Sequence, residues 1–188
     1  KAFAVKEPIM DSLLHTPEGV RDIYNEECSK KNALSAKLDR ILKLYGYKDI
    51  QTPTFEFFDI FNRERGSVPS RNMYKFIDRD GSTLVLRPDI TPSIARAVAK
   101  YFKEETIPLR FSYCGNTFIN NSSLQGKMKE TTQLGAELIG DRDIEGDAEV
   151  VALAIHLLLE SGLTDFQLDI GHVGIFQCLA KQAGFSEE

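Results

Sequence analysis

Gln133-Leu-Gly-Ala-Glu137 places an amide, a bare backbone position and a carboxylate at alternate residues. On a strand, positions 133, 135 and 137 share one face, because side chains alternate with a period of two. Gly135 then leaves room for a ligand, and Glu137 offers an acceptor for the N–H of an imidazole ring. Pro88-Asp89-Ile90-Thr91 supplies a hydroxyl and a second carboxylate, the kind of group that holds an ammonium by a charge-assisted hydrogen bond. These residue types suit an amino-acid zwitterion. By spacing alone, a Gln-x-x-x-Glu pair is more often a solvated strand face than a site.

Other reactive residues form no set. His15, His156 and His172 are scattered, and none pairs at metal-ligand spacing, so no metal is expected. His156 lies in an apolar helical stretch and reads as a core or interface histidine. Cys28, Cys114 and Cys178 include no Cys-x-x-Cys pair, and three separated thiols fit a reducing cytoplasm. There is no Ser-His-Asp combination and no phosphate-binding loop, and Gly171-His-Val-Gly174 is too short for a dinucleotide fingerprint. Lys127 and Lys129 read as a solvated pair or an anion contact. Glu145, Asp147 and Glu149 suit the start of a helix, where negative charge meets the positive end of the macrodipole. No cofactor is implied.

The elements that must position Asp89, Thr91, Gln133 and Glu137 follow from periodicity. Leu34, Leu38, Ile41, Leu42 and Tyr45 recur at spacings of three and four, which predicts a helix from about Glu26 to Tyr45 stopped by Gly46. A strand is expected from Tyr47 to Thr52, closed by Pro53. Asp80-Gly81 is a hairpin signal between strands at 73–78 and 83–87. Thr91 suits a helix cap and Pro92 a first helical position. Strands at 109–118 and 131–139 should pair antiparallel, followed by a helix at 145–160, a strand at 166–170 and a helix at 173–183. This order predicts an α+β fold built on an antiparallel sheet flanked by helices. The 188 residues suit one domain, with residues 1–12 read as an extension or expression remnant and 13–188 as the core domain. A net charge of −5 gives no support to nucleic-acid binding, and no apolar run is long enough to span a membrane.

Four stretches carry a family resemblance. Thr16-Pro-Glu-Gly-Val-Arg-Asp22, the helix and strand ending at Pro53, Leu86-Arg-Pro-Asp-Ile-Thr91, and Arg110 through Gly140 occur in the order found in histidyl-tRNA synthetases. The chain from Leu13 onward resembles the catalytic core of that class II aminoacyl-tRNA synthetase family, incomplete on the C-terminal side. The resemblance implies that Asp89, Thr91, Gln133 and Glu137 line an amino-acid pocket for histidine, and that the region ending at Pro53 builds a homodimer. It also marks a departure. The family reads Phe-Arg-x-Glu-Arg-Pro where this chain reads Phe118-Ile119-Asn120-Asn121-Ser122-Ser123, so the ATP-clamp positions Ile119, Asn121 and Ser122 lack the cation that braces the α-phosphate.

A synthetase-like frame without its ATP clamp resembles the family's regulatory relatives, the regulatory subunits of ATP phosphoribosyltransferase. That resemblance implies a non-catalytic cytoplasmic protein that partners a short catalytic subunit, takes L-histidine as effector and binds no tRNA. The alternatives are a fragment of a catalytic histidyl-tRNA synthetase and a dimeric histidine-sensing scaffold with another partner.

Overall fold

The computed structural model describes residues 14–62, 68–121, 126–171 and 173–184. Residues 1–12, Ser122 and His172 lie outside them.

Helix α1 (Asn25–Leu44) carries Glu26 and Glu27 in its first turn and Lys43 in its last, matching the helix dipole. It ends where the sequence predicts. Gly46 takes φ +82°, the Gly46 N–H donates to the Lys43 carbonyl at 3.0 Å, and the Tyr47 N–H donates to that of Leu42 at 3.0 Å. This is a Schellman closure, which a residue with a Cβ adopts only under strain. The apolar stripe of α1 is used inside the chain. Ile41 and Leu42 pack with Tyr47 and with Leu153 of helix α4 (Ile144–Ser161), over Leu134 and Ala136.

Two small sheets follow. In the first, β1 (Lys48–Asp49), β5 (Leu109–Phe118) and β6 (Glu130–Ile139) lie in the order β1-β5-β6. The β5–β6 pair is antiparallel, from Leu109 opposite Ile139 to Phe118 opposite Glu130. The sequence reading of an antiparallel sheet is corrected at one edge, where β1 runs parallel to β5, with Lys48 opposite Phe111. The long connection between these strands allows the crossover a parallel pair requires. One face of β5–β6 meets α1 and α4. The other packs Phe111 and Tyr113 against Ile90 and Ile94 of the α3 region (Thr91–Tyr101).

The second sheet has the order β2-β4-β3, from Phe55–Phe57, Thr83–Leu86 and Lys75–Ile77, all antiparallel. Strand β2 and the short helix α2 (Phe58–Asn62) have no sequence signal, being too brief to show a period. Arg96 of α3 bonds Glu56 of β2 through one guanidinium edge, Nε at 2.9 Å and Nη2 at 2.7 Å, and so ties this sheet to the helix.

Two expectations are corrected. Residues 166–170 form no strand, because no ladder partner faces them among the described residues. Thr91 is the first residue of α3 rather than its cap. Ile90 occupies the cap position, and Pro92 sits in the first turn. The last helix, α5 (Val173–Gln182), forms as expected. No described helix is long and apolar enough to cross a membrane.

The half-buried ion pair of Arg110 and Glu149 joins β5 to α4, with contacts of 2.8 and 2.6 Å. The Tyr47 hydroxyl donates to the same carboxylate at 3.1 Å. Burial, followed by that acceptor, pushes the Tyr47 phenol up to about 12. The Arg110 hydrogen bond holds Glu149 below its ordinary value of 4.5. A depressed carboxylate stabilises the fold above its unfolded value and loses that contribution as pH falls through its folded value. Urea unfolding should therefore show Glu149→Gln less stable than the parent at neutral pH. The gap should narrow below pH 4.5. A gap independent of pH would contradict this account.

Candidate functional site

Three of the four residues that resemblance assigns to an amino-acid pocket are brought together. Thr91 opens α3, and its hydroxyl donates to Glu137 Oε1 at 2.6 Å across to β6. Asp89 lies in the connection from β4 to α3, where its Oδ1 accepts the Ile90 N–H at 2.7 Å. Asp89 is close enough for its charge to act on Glu137. Gln133 lies on the same face of β6, four residues before Glu137 and opposite Gly115. Its side-chain amide has no hydrogen-bond partner among the described residues.

The room expected beside Gly135 is already filled. Tyr113 stands opposite Gly135 in the β5–β6 ladder, and its ring crosses the bare Cα. A Cβ at Gly135 would lie 2.5 Å from the phenol oxygen. Directly opposed residues hold their Cβ atoms close together, so a large side chain on one strand demands a small one on the other. Tyr113 was not singled out by sequence reasoning, although the hairpin register would have found it.

The electrostatics of this corner are one-sided. Glu137 and Asp89 form no ion pair with a cation among the described residues. Burial pushes the Glu137 carboxyl up, Thr91 opposes that through its hydrogen bond, and Asp89 adds to it by repulsion. Burial also raises the Tyr113 phenol, with Glu137 reinforcing the shift. Such a corner favours a ligand that brings positive charge or N–H donors. Among the described residues no group of acids, histidines and cysteines is arranged to hold a metal ion.

The positions compared with an ATP clamp do different work. Ile119 is held by its backbone, its N–H donating to the Lys129 carbonyl at 2.9 Å. The Asn121 amide donates to the Met128 carbonyl at 3.1 Å, closing the loop between β5 and β6 on itself. Lys129 is anchored through its backbone and its side-chain stem. Its N–H donates to the Gly19 carbonyl at 2.7 Å, and its side-chain stem lies against Gly19, which takes φ +84°. The segment containing Gly19 is thereby docked on the base of this loop. His156 stacks at a tilt on Tyr45, with centroids 5.8 Å apart, which places it in the α1–α4 interface.

A long antiparallel hairpin, helices behind it and an acidic corner in front define a class II aminoacyl-tRNA synthetase-like core. The histidyl-tRNA synthetase family model matches residues 19–188, and the chain belongs to that family. It is 44% identical over 175 residues to the ATP phosphoribosyltransferase regulatory subunit of Ruminiclostridium cellulolyticum, covering 93% of this chain and 42% of that protein. The protein of the same name from Acetivibrio thermocellus is 45% identical with the same coverage. Among solved structures, an ATP phosphoribosyltransferase regulatory subunit/histidyl-tRNA synthetase from Bacillus halodurans superposes with a TM-score of 0.80 at 36% identity, covering 97% of this chain and 45% of that one. Apo histidyl-tRNA synthetase of S. aureus gives a TM-score of 0.68 at 31% identity, covering 80% and 35%. The chain thus spans less than half the length of the curated relatives it matches.

The raised Glu137 carboxyl has a testable sign. An acid whose folded value is raised penalises the native state above that value, and the penalty disappears below the unfolded value. Glu137→Gln keeps an acceptor for Thr91 and removes the charge. The variant should be more stable than the parent at neutral pH, with the gain shrinking as pH falls toward the ordinary carboxylate value of 4.5. Thermal unfolding across that pH range checks it, and a less stable variant at pH 7 would refute it.

Proposed function

We propose that the protein carrying this chain is a regulatory subunit of ATP phosphoribosyltransferase. It supports a separate, short catalytic subunit in the first step of histidine biosynthesis and makes that step sensitive to L-histidine. One contrast carries the reading. The residues that resemblance assigns to the amino-acid half of a synthetase site stand together, with Thr91 on Glu137 at 2.6 Å, while the positions of the phosphate half hold an isoleucine and an amide that closes its own loop. The names of the Ruminiclostridium and Acetivibrio relatives support it. Asp89 would take the ammonium of histidine, and Glu137 an imidazole N–H, with Gln133 and Thr91 completing the hydrogen bonds. The protein would act in the cytoplasm without tRNA and would catalyse no aminoacylation itself, because Ile119 cannot stabilise charge on an α-phosphate.

A second reading, a piece of an active histidyl-tRNA synthetase, is favoured by the family match and the S. aureus likeness. One set of assays separates the two. Added to the short catalytic subunit, the full-length protein should raise formation of phosphoribosyl-ATP and confer inhibition by histidine. Coupling should be about 1–3 kcal/mol, typical for an effector. Gln133→Ala combined with Glu137→Ala should abolish the inhibition while leaving activation in place. Histidine-dependent exchange between ATP and pyrophosphate should stay at background. Exchange above background, or a rate and inhibition equal to those of the catalytic subunit alone, would defeat the proposal.

We also propose a homodimer through the region ending at Pro53. The apolar stripe of α1 does not support it, since α4 and β6 already cover that stripe. Support comes from the adjoining sheet. Phe55, Phe57 and Phe76 share one face and are 53%, 57% and 40% exposed, more aromatic surface than an isolated domain usually leaves in water. Sedimentation should give a dimer at micromolar concentration, and Phe57→Asp should shift it toward monomer. A monomeric parent protein would rule this interface out.

A further inference from the structure

Arg87 belongs to neither half of the synthetase-like site, yet it is the most deeply set cation described, 8% exposed. Its Nε donates to the Asn116 carbonyl at 2.8 Å. Its Nη1 donates to the Thr52 carbonyl at 2.8 Å and to that of Pro53 at 3.3 Å. The third nitrogen, Nη2, has no acceptor among the described residues. It passes over the bare Cα of Gly115, where a Cβ would collide with it. It is not a sealed polar atom, since Ser93 Oγ alone has that status among the described residues. Nη2 therefore remains open to solvent, and Arg87 lines a cavity of about 210 Å³.

That cavity has donors and no acid. Thr52, Thr54 and the Gln51 amide line it with Arg87, and Ile90 and Tyr113 form an apolar wall. Burial alone lowers the Arg87 guanidinium, with no carboxylate acting on it. A desolvated cation bonded only to neutral oxygens, three carbonyls and the Thr52 hydroxyl, lacks the counter-charge that offsets its removal from water. The planar fork of arginine matches carboxylate and phosphate oxygens, and two N–H groups of Nη2 remain for them.

We propose that the cavity between residues 50–54, Arg87 and Tyr113–Cys114 is a binding site for one small oxyanion, a phosphate or a carboxylate, held by Arg87 Nη2, Thr52, Thr54 and Gln51. The volume limits the ligand. Liquid water takes about 30 Å³ per molecule, so the space holds roughly seven waters. It lies below the ~300–1,000 Å³ of pockets for drug-sized ligands, so a nucleotide does not fit whole. The site differs in sign from the Asp89–Glu137 corner, which selects positive groups, and goes beyond the proposed function. Its contacts tie the motif ending at Pro53 to β5, so an anion there would brace the surface proposed for dimerisation.

Calorimetric titration of the full-length protein tests this, with inorganic phosphate in one arm and acetate in the other at matched ionic strength in chloride. Saturable binding of one anion per chain is expected. Phosphate alone would assign a tetrahedral ligand, and acetate a planar carboxylate. Arg87→Lys should weaken binding by about tenfold or more, equivalent to 1.4 kcal/mol. That change also removes carbonyl bonds from the fold. Gln51→Ala combined with Thr54→Val leaves those bonds in place and should weaken binding severalfold with an unchanged circular dichroism spectrum. Absence of saturable binding in both arms would overturn the proposal. So would equal affinity in the parent protein and the Gln51/Thr54 variant, which would mean an adventitious ion only.

Discussion

Arg87 gives both of its backbone groups and every guanidinium nitrogen but one to other segments of the chain. Its N–H meets the Thr54 carbonyl at 2.9 Å, and its carbonyl accepts from Phe118 at 3.0 Å. Its guanidinium reaches Asn116, Thr52 and Pro53. These bonds join the two sheets, since β4 ends at Leu86 and Asn116 and Phe118 belong to β5. Only a planar fork with donors on several edges can span carbonyls from two directions; an ammonium concentrates its donors at a point. The cost is close approach, which is why β5 carries Gly115 where the guanidinium crosses. Pro88 to Thr91 follow immediately, so the clamp also fixes where Asp89 and Thr91 stand relative to Glu137.

Once those three groups are fixed, the corner they make is unfavourable by itself. Two carboxylates face each other's field without a cation, and burial has raised one of them. Natural sites often hold such a group at the expense of stability, and the stability is recovered when the proper ligand arrives. Tyr113 contributes by filling the space over Gly135, which narrows the corner and lowers its dielectric. A cavity that looked like room for a ligand in the one-dimensional pattern is thus a packing site for a neighbour. What the corner offers a donor is instead the open oxygens of Asp89 and Glu137.

Much of this was legible in the sequence because local rules suffice for it. The α1 stripe, the Gly46 stop, the Asp80-Gly81 hairpin and the alternation of Gln133, Gly135 and Glu137 depend on neighbours a few residues away. The α+β class came from the order of elements, and the synthetase-like core from family resemblance across whole segments. What was not legible depends on distant partners. Phe55 to Asn62 is too short to show a period. The residues at 166–170 have strand-like chemistry but lack a described neighbour to pair with. Arg87 gave no sign of its role, because a single arginine after a strand is ordinary until Asn116, Thr52 and Pro53 are known to surround it. Thr91 was read as a cap on its own helix, whereas its hydroxyl is drawn to a carboxylate on another strand.

The Thr91–Glu137 bond has a further physical consequence for any ligand of this corner. Thr91 engages Oε1 only, and Oε2 has no donor among the described residues. A ligand N–H that reaches Oε2 adds a bond without breaking one, so the corner is already arranged for its guest and little local movement is needed. Such a donor would offset the desolvation of Glu137 and add a contact where β6 meets the start of α3. Relief of that kind stabilises whichever arrangement of the protein holds the corner together, by an amount set by the ligand's differential affinity. On the regulatory reading proposed above, an effector in this corner would favour whichever arrangement of the complex keeps Asp89 and Thr91 against Glu137, and a site that does no chemistry would thereby bias a choice between assemblies.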